Sequence, residues 1–133
     1  MKSNLLRIVL ILLCSAFAAV AADKAPAKLE TMIQNALKGY NAADAKAFFA
    51  DYAAAAAAIA TPETYKALYE SGVKPQFGKF VSMTFLAAES SINDEAPMLA
   101  YAAKFEKGEA KVSVNFMKED AGLKILQISI QPK

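Results

Sequence analysis

The sequence predicts an α+β domain in which three helices precede a four-stranded antiparallel sheet and cover one of its faces. Before Gly72, apolar residues recur every three or four positions, as on one face of a helix. After Gly72 they recur at every second position, as along a half-buried strand. The connections between the predicted strands are short, which favours neighbouring antiparallel strands. No repeat or linker divides residues 23–133, so we expect a single domain there.

Three helices are expected in the first half of the domain. The first should run from about Ala25 to Tyr40, as an amphipathic helix. Asp44 should cap the second, which we expect to continue through the alanine run 53–58 and to pack closely against a neighbouring helix. Thr61 followed by proline predicts the start of the third, and Gly72 predicts its end.

Four alternating segments predict the strands. Each should turn its apolar residues toward the helices and its other residues outward. The residues expected to face inward are Val81, Met83, Phe85 and Ala87, then Leu99, Tyr101, Ala103 and Phe105, then Val112, Val114 and Phe116, and last Leu126, Ile128 and Ile130.

Residues 1–22 are typical of a bacterial-type signal peptide. Lys2 and Arg7 give a positive start, an apolar run follows, and small residues lead to a cleavage site after Ala22. We therefore expect export to the periplasm or secretion. The alternative is an uncleaved anchor, although the uninterrupted apolar run is shorter than the about 20 residues of a membrane span. Cys14 follows a leucine, so we interpret it as a member of the apolar run and not as a lipid attachment site.

Composition excludes several classes of site. Cleavage would leave 13 of the 15 basic residues against 13 acidic residues, so no charge bias favours nucleic acid or anionic lipid. The chain has no His, and its single Cys lies in the predicted signal peptide. Ser-His-Asp triads, thiolate nucleophiles and the usual zinc sites are therefore excluded from the mature chain. We expect no cofactor and no integral membrane span after cleavage.

The segment from Tyr40 to Asp51 resembles a junction found in the nuclear-transport-factor-2-like superfamily, also called cystatin-like or SnoaL-like. It has an aromatic residue, an Asn-small-small-Asp corner, and apolar residues ahead of an acid. The Thr61-Pro62-Glu63 start and the segment from Gln76 to Phe80 are similar to a secreted bacterial subgroup of unknown function. The resemblance covers about residues 27–131 and implies a cone-like fold, with a curved sheet around the helices and a cavity between them. That cavity serves enzymes, ligand binders and dimerisation modules alike.

The concave face of such a sheet is the predicted ligand site. If its side chains meet, they form a filled core, which we favour; if they leave a void, it suits a small apolar ligand. The expected lining is Phe48, Tyr52, Met83, Phe85, Tyr101, Phe105, Val114, Phe116 and Ile128.

Carboxylates are the remaining candidates for catalysis. Some cone-fold isomerases use a desolvated Asp or Glu to move a substrate proton. Asp51, beside aromatic residues, and Glu89, at a strand end, are the weak candidates here, and Tyr101 could donate a hydrogen bond in a pocket. Solvated charges and an ordinary core tyrosine explain the same residues. Asp44 is explained by its capping role.

Two functions follow. The first is a non-enzymatic exported module that binds a small apolar ligand or a protein partner. That partner is either an envelope protein or a second copy, docked through the outer sheet face where Ala100 and Ala102 are small. The alternative is a cofactor-free isomerase-like enzyme that uses a pocket carboxylate.

Overall fold

A computed structural model of the protein describes residues 24–133. The predicted signal peptide, residues 1–22, lies outside the described residues. The described chain is α+β, with helical elements first and one antiparallel sheet of four strands after them. The helical elements are α1 (Ala27–Asn41), α2 (Ala45–Phe48), α3 (Pro62–Tyr65), a π-helix (Lys66–Val73), α4 (Lys74–Phe77) and two 3₁₀ turns (Ala54–Ala56 and Ala87–Glu89). The strands are β1 (Phe80–Phe85), β2 (Met98–Phe105), β3 (Gly108–Glu119) and β4 (Gly122–Pro132).

Both predicted helix caps are confirmed. The Asp44 carboxylate accepts a hydrogen bond from the Ala47 N–H at 3.1 Å, and the Thr61 hydroxyl accepts one from the Thr64 N–H at 3.2 Å. Each bond satisfies an amide that has no partner inside its own helix. The sequence therefore located these two helix starts correctly.

The prediction for the alanine run is wrong. The second helix ends at Phe48, and residues 54–56 of the run form a 3₁₀ turn. Within the run, only Ala53 and Ala56 are buried. The Ala53 N–H donates to the Ile125 carbonyl at 2.7 Å, and the Ile125 N–H donates to the Asp51 carbonyl at 2.9 Å. Pairing with β4 thus overrides the helix propensity of alanine, which is worth only a fraction of a kcal/mol per residue.

The third helix does not end at Gly72, contrary to the prediction. It widens into the π-helix after Tyr65, passes Gly72 and ends at Phe77, where Gly78 has a φ of 75°. Pro75 lies in the first turn of α4 and has no N–H to donate. The wider turns just before it account for how a proline is accommodated in a continuing helix.

The four predicted strands are confirmed, and they lie in the order β1-β2-β3-β4. Two of the residues predicted to face inward are instead exposed, because each sits in a β-bulge. Val81 lies between the pairs Phe80↔Phe105 and Ser82↔Lys104 and is 63% exposed. Leu126 is the extra residue of β4 where the register with β3 shifts, and it is 37% exposed. A bulge reverses the alternation for one residue, which a strict period of two cannot show.

Ala87 was predicted to continue β1 inward, but it begins a 3₁₀ turn. The segment after that turn pairs with the edge of β2, where Ser91 and Met98 form an antiparallel bridge. There the Ser90 hydroxyl accepts a hydrogen bond from the Ala100 N–H at 2.9 Å, and Ala100 is fully buried. Ala100 is therefore already covered by its own chain and is not free for contact with a second copy.

One hydrophobic cluster joins the helices to the sheet, with Tyr40 and Phe48 among its fully buried side chains. α1 approaches α2 closely at Gly39, where a Cβ atom would lie 2.5 Å from the Phe48 nitrogen. Asn41 fixes the start of β1, since its side-chain amide donates to the Phe80 carbonyl at 2.9 Å and accepts from the Phe80 N–H at 2.8 Å. Among residues 24–133, no helix has the length and hydropathy of a membrane span.

Candidate functional site

The candidate site is a groove between the π-helix and the edge strand β4, and we call it the β4 groove. Its volume is about 210 Å³. Leu68, Tyr69 and Val73 of the π-helix form one wall, and residues 127–130 of β4 form the other. Phe49, Tyr52, Ile59 and Thr64 complete the lining.

The π-helix explains how the first wall is built. Its hydrogen bonds join residues five apart, so side chains four and five positions apart line up along one side of it. Thr64, Leu68, Tyr69 and Val73 have this spacing, and all four line the groove. A regular α-helix would align residues three and four apart instead.

The mouth of the groove is apolar. Leu68 is 54% exposed and Ile59 is 46% exposed, and both are among the few large apolar side chains that the described chain leaves in contact with water. Scattered exposed apolar residues are ordinary, but two that border one cavity mark a surface suited to binding.

Tyr52 and Tyr69 belong to the groove lining, whose other polar residues are Thr64, Gln127 and Ser129. The Tyr69 hydroxyl donates a hydrogen bond to the Ile128 carbonyl of β4 at 2.7 Å. Burial, opposed by a hydrogen bond from Tyr52, raises the pKa of Tyr69 to about 12. Burial raises the pKa of Tyr52 even further above its ordinary value, with the neighbouring Tyr69 hydroxyl adding to the shift. Both groups are therefore neutral at physiological pH.

Aromatic packing holds these two tyrosines in place. The ring of Phe48, fully buried, lies 4.5 Å from that of Tyr69 and 5.8 Å from that of Tyr52, measured between centroids. Phe49 meets Tyr52 edge-to-face at 4.8 Å, and Tyr65 stacks on Tyr69 at 5.7 Å. The tyrosine side of the groove wall therefore packs directly against the core.

Comparison of the chain with family models, curated proteins and solved structures finds no significant match. The function of the β4 groove is therefore inferred from its own residues and their geometry.

The structure separates the predicted concave lining into three groups. Tyr52 and Ile128 line the β4 groove. Met83 and Phe85 of β1 are partly buried and pack against the core. The remaining predicted residues are buried in the core cluster: Phe48, Tyr101, Phe105, Val114 and Phe116.

The three catalytic candidates are not brought together in the groove. Asp51 is partly buried just before Tyr52, and its backbone carbonyl accepts a hydrogen bond from the Ile125 N–H. Glu89 is exposed and forms an ion pair with Lys111 on the outer sheet face. Tyr101 is fully buried, and its hydroxyl has no hydrogen-bond partner within residues 24–133. Burial, with a smaller contribution from the nearby Glu30 carboxylate, raises the pKa of Tyr101.

Sequence reasoning missed the helical wall of the groove. Leu68 and Tyr69 lie within the third predicted helix, and nothing in the sequence assigned them to a site. The available signal was their spacing from Thr64 and Val73 in a helix that also contains Pro75. That spacing does not fit a regular helix, but a sequence alone does not distinguish a π-helix from a helix end at Gly72.

A second depression, of about 510 Å³, adjoins the groove and shares Phe49 with it. Its other lining residues are small or surface-exposed, namely Ala45, Lys46, Ala50, Ala60 and Pro62. It has no buried polar group at its base, so it offers a ligand apolar contact but no hydrogen bond that would fix the orientation of that ligand. Within the described residues, no group of three or more acidic, His or Cys side chains could hold a metal ion.

Proposed function

We propose that the protein is a non-enzymatic exported module that binds a small apolar molecule in the β4 groove. The observation that carries this proposal is the groove itself, with an apolar mouth at Leu68 and Ile59 and the neutral tyrosines Tyr52 and Tyr69 in its lining. Binding sites commonly combine an apolar lining with a few placed polar groups.

The volume of the groove limits the size of its ligand. An engineered cavity of about 150 Å³ takes up benzene, whereas sites for drug-sized ligands begin near about 300 Å³. At about 210 Å³, the groove has room for one ring and a few further atoms. The same volume suits one apolar side chain of a partner protein, which is the other occupant that the sequence predicts.

The isomerase alternative receives less support from this geometry. It requires a carboxylate that is desolvated beside the substrate. The groove lining contains neither Asp51 nor Glu89, and Glu89 is neutralised at the surface by Lys111. Binding without catalysis is therefore the function that the groove supports best.

A pair of matched variants tests the binding proposal. Leu68→Gln places an amide at the mouth of the groove, and Val81→Gln makes the same kind of change at an equally exposed site on β1. We expect toluene to raise the melting temperature of the wild type and of Val81→Gln, and to have little effect on Leu68→Gln. Equal stabilisation of the two variants would contradict the proposed site.

Export is the second part of the proposal, and it depends on residues 1–22. The charged start, apolar run and small residues before Asp23 support it. Expression of the full chain in a bacterium should give a periplasmic or secreted protein whose N-terminal residue is Asp23. A full-length chain in the membrane fraction would instead indicate an uncleaved anchor.

We also propose that the domain belongs to the nuclear-transport-factor-2-like superfamily, with three helices on a curved sheet in a cone-like arrangement. The antiparallel order β1-β2-β3-β4 supports this, as do the junction contacts of Asn41 and Asp44. An experimental structure of the domain tests it. A flat sheet, or helices packed on both faces, would contradict it.

Self-association through the outer sheet face stays a prediction. Ala102 is partly accessible there, between Thr84 of β1 and Lys111 of β3. Sedimentation of the purified protein should show a dimer if this face associates. A monomer at high concentration would contradict that arrangement.

A further inference from the structure

We infer that β1 pairs with β1 of a second copy of this chain, so that two four-stranded sheets join edge to edge. β1 and β4 are the two edge strands of the sheet, and the proposed ligand site lies at β4. The inference therefore goes beyond the proposed function and does not depend on it. It follows from the backbone hydrogen bonds at the two edges and from the sequence of β1.

Two residues of β1 direct their backbone groups away from the sheet. The Leu86 N–H, just after the strand, donates to the Ala100 carbonyl of β2 at 2.8 Å. The backbone groups of successive residues in a strand point to opposite sides, so those of Met83 and Phe85 face the open edge. Among residues 24–133, no side chain or loop bonds to these groups.

The edge at β1 is in contact with water. Met83 and Phe85 are partly exposed, and Val81 of the same strand is 63% exposed. Unpaired N–H and C=O groups along a sheet edge are a template for the backbone of another extended chain. The ligand that fits this edge is therefore a β-strand.

The opposite edge is largely occupied by the chain itself. Residues 51–53 bond to both backbone groups of Ile125, and the Tyr69 hydroxyl donates to the Ile128 carbonyl. Pro132, at the end of β4, has no N–H to offer. Within the described chain, β1 is thus the edge that is free to accept a strand.

β1 also lacks the residues that commonly prevent pairing between edges. Natural edge strands carry charged side chains, above all Lys, or Pro. Residues 80–88 contain neither. Asn41 covers the backbone of the first residue, Phe80, and the bulge lies at Val81. Both features leave the rest of the strand open.

A second copy fits this edge because the pairing is self-complementary. When two copies of β1 run antiparallel about a two-fold axis at Thr84, Met83 of each copy lies opposite Phe85 of the other. Each such pair exchanges both of its N–H···O bonds, so every free group gains a partner in both molecules at once. The two Thr84 side chains meet on the axis, and cross-strand threonine pairs are favourable.

Charge does not oppose this arrangement. β1 carries no charged residue, and Lys104 is the one charged residue of β2. In the paired sheets, the two β2 strands would be three strand spacings apart, about 14 Å. That distance exceeds the Debye length of about 8 Å at physiological ionic strength, so the two copies of Lys104 repel each other only weakly.

The size of the contact predicts a reversible dimer. β1 has six residues, and a pair of such strands buries far less than the about 1,600 Å² of a standard protein interface. Sedimentation of the purified protein should therefore show a monomer–dimer equilibrium that shifts toward the dimer as the concentration rises.

Single cysteines test where the copies meet. In a Cys14→Ser background, Thr84→Cys would place two thiols across the axis, where Cα atoms of a non-hydrogen-bonded pair lie about 4.5 Å apart, within disulfide range. Ser113→Cys is the matched control, because Ser113 lies on β3, an inner strand. Under oxidising conditions we expect Thr84→Cys to form a covalent dimer and Ser113→Cys to stay monomeric on a non-reducing gel.

A lysine at the axis tests the same contact without a covalent bond. Thr84 is exposed, so Thr84→Lys should fold, and melting curves check this. It places two like charges side by side and should weaken the dimer at least about tenfold. Ser113→Lys should leave the dissociation constant unchanged.

The outcomes keep this inference separate from the proposed function. A protein that stays monomeric at high concentration, or a Thr84→Cys variant that does not cross-link, would overturn the inference even if toluene binds in the β4 groove. Faster cross-linking of Ser113→Cys would place the contact on the outer sheet face and would also overturn it. Cross-linking at Thr84 in a protein that does not bind toluene would support the inference and contradict the proposed function.

Discussion

At the residue scale, two close contacts between neighbouring elements each depend on a single residue. Gly39 is the clearest case, because a methyl group there would lie 2.5 Å from the Phe48 nitrogen and 2.9 Å from the Ala47 carbonyl carbon. Both atoms belong to the backbone of α2, so neither can turn away. Gly39 thus sets the distance between α1 and α2, and it places Phe48 behind the tyrosine pair.

Gly39→Ala should therefore destabilise the protein by about 1–3 kcal/mol, the usual cost of overpacking. Gly72→Ala is the matched control, since its new Cβ would lie 3.5 Å from the Ala67 carbonyl oxygen, an ordinary contact. It should be neutral or stabilise the helix by up to about 1 kcal/mol. Urea unfolding of both variants measures the difference. Equal free energies of unfolding would show that α2 yields at this contact.

Asn41 makes a second contact of this kind. Its amide pairs with both backbone groups of Phe80, as a neighbouring strand would, and so anchors the free end of β1. Asn41→Ala should lower the free energy of unfolding by about 1–3 kcal/mol, because it leaves a partly buried N–H and carbonyl unpaired. Asn41→Asp keeps the acceptor for the Phe80 N–H but places a carboxylate oxygen against the Phe80 carbonyl oxygen, so it should recover little of that loss. An Asp variant as stable as the wild type would contradict this account.

At the scale of elements, the sequence predicted where structure starts better than where it ends. Asp44 and Thr61 carry their own capping chemistry, and the alternating strands carry their own period, so local sequence suffices to place them. The third helix does not end at Gly72, because it continues through this residue as a π-helix. Val81 and Leu126 do not face inward, because each lies in a β-bulge. The position of a bulge depends on how two strands pair, so the sequence of one strand does not reveal it.

The β4 groove could not be predicted for the same reason. Tyr52 and Ile128 were among the predicted lining residues, but so were Phe48 and Tyr101, which are buried in the core cluster. The groove lies at the sheet edge instead, where residues 51–53 pair with part of β4 and the π-helix stands beside the rest. Both features arise from tertiary contacts that no local pattern contains.

The pairing of residues 51–53 with β4 can be tested by removing one donor. Ala53 has a φ of −64°, which proline also adopts, so Ala53→Pro removes the N–H that bonds to the Ile125 carbonyl without forcing the backbone. We expect it to cost at least about 1 kcal/mol and to weaken ligand binding, since Tyr52 precedes it.

Ala54→Pro is the control for that experiment. The Ala54 N–H donates to the Glu119 carboxylate at 2.9 Å in a solvent-exposed position, so water can replace this contact. This variant should be nearly neutral. If the two proline variants destabilise the protein equally, the hydrogen bond from Ala53 to β4 contributes no more to stability than the exposed contact of Ala54.

At the scale of the whole molecule, the described domain is stabilised by its apolar core, and all five tyrosines of the chain take part in that packing. Burial raises the pKa of each of them above the ordinary value of 10.0, to about 12 for Tyr40 and Tyr69. Folding therefore favours the neutral phenols over the phenolates.

The raised pKa values of the tyrosines predict that the protein loses stability at high pH. Below pH 10 the phenols are neutral in both states, so their contribution to stability is complete; it is lost as the pH rises from about 10 through the raised values. Denaturant unfolding should show a constant tyrosine contribution up to about pH 10 and a steep fall between about pH 10 and 12. Tyr69→Phe should be less stable at neutral pH but lose less stability over that interval. A wild type equally stable at both ends of the interval would contradict the buried state of these hydroxyls.

The most direct test of the central claim is to map where toluene binds, by amide chemical shifts of the labelled protein during a titration. The proposed function predicts that the largest shifts fall on residues 64–73 of the helical wall and 127–130 of β4. Shifts centred on the depression beside Ala45 and Ala50 would contradict it.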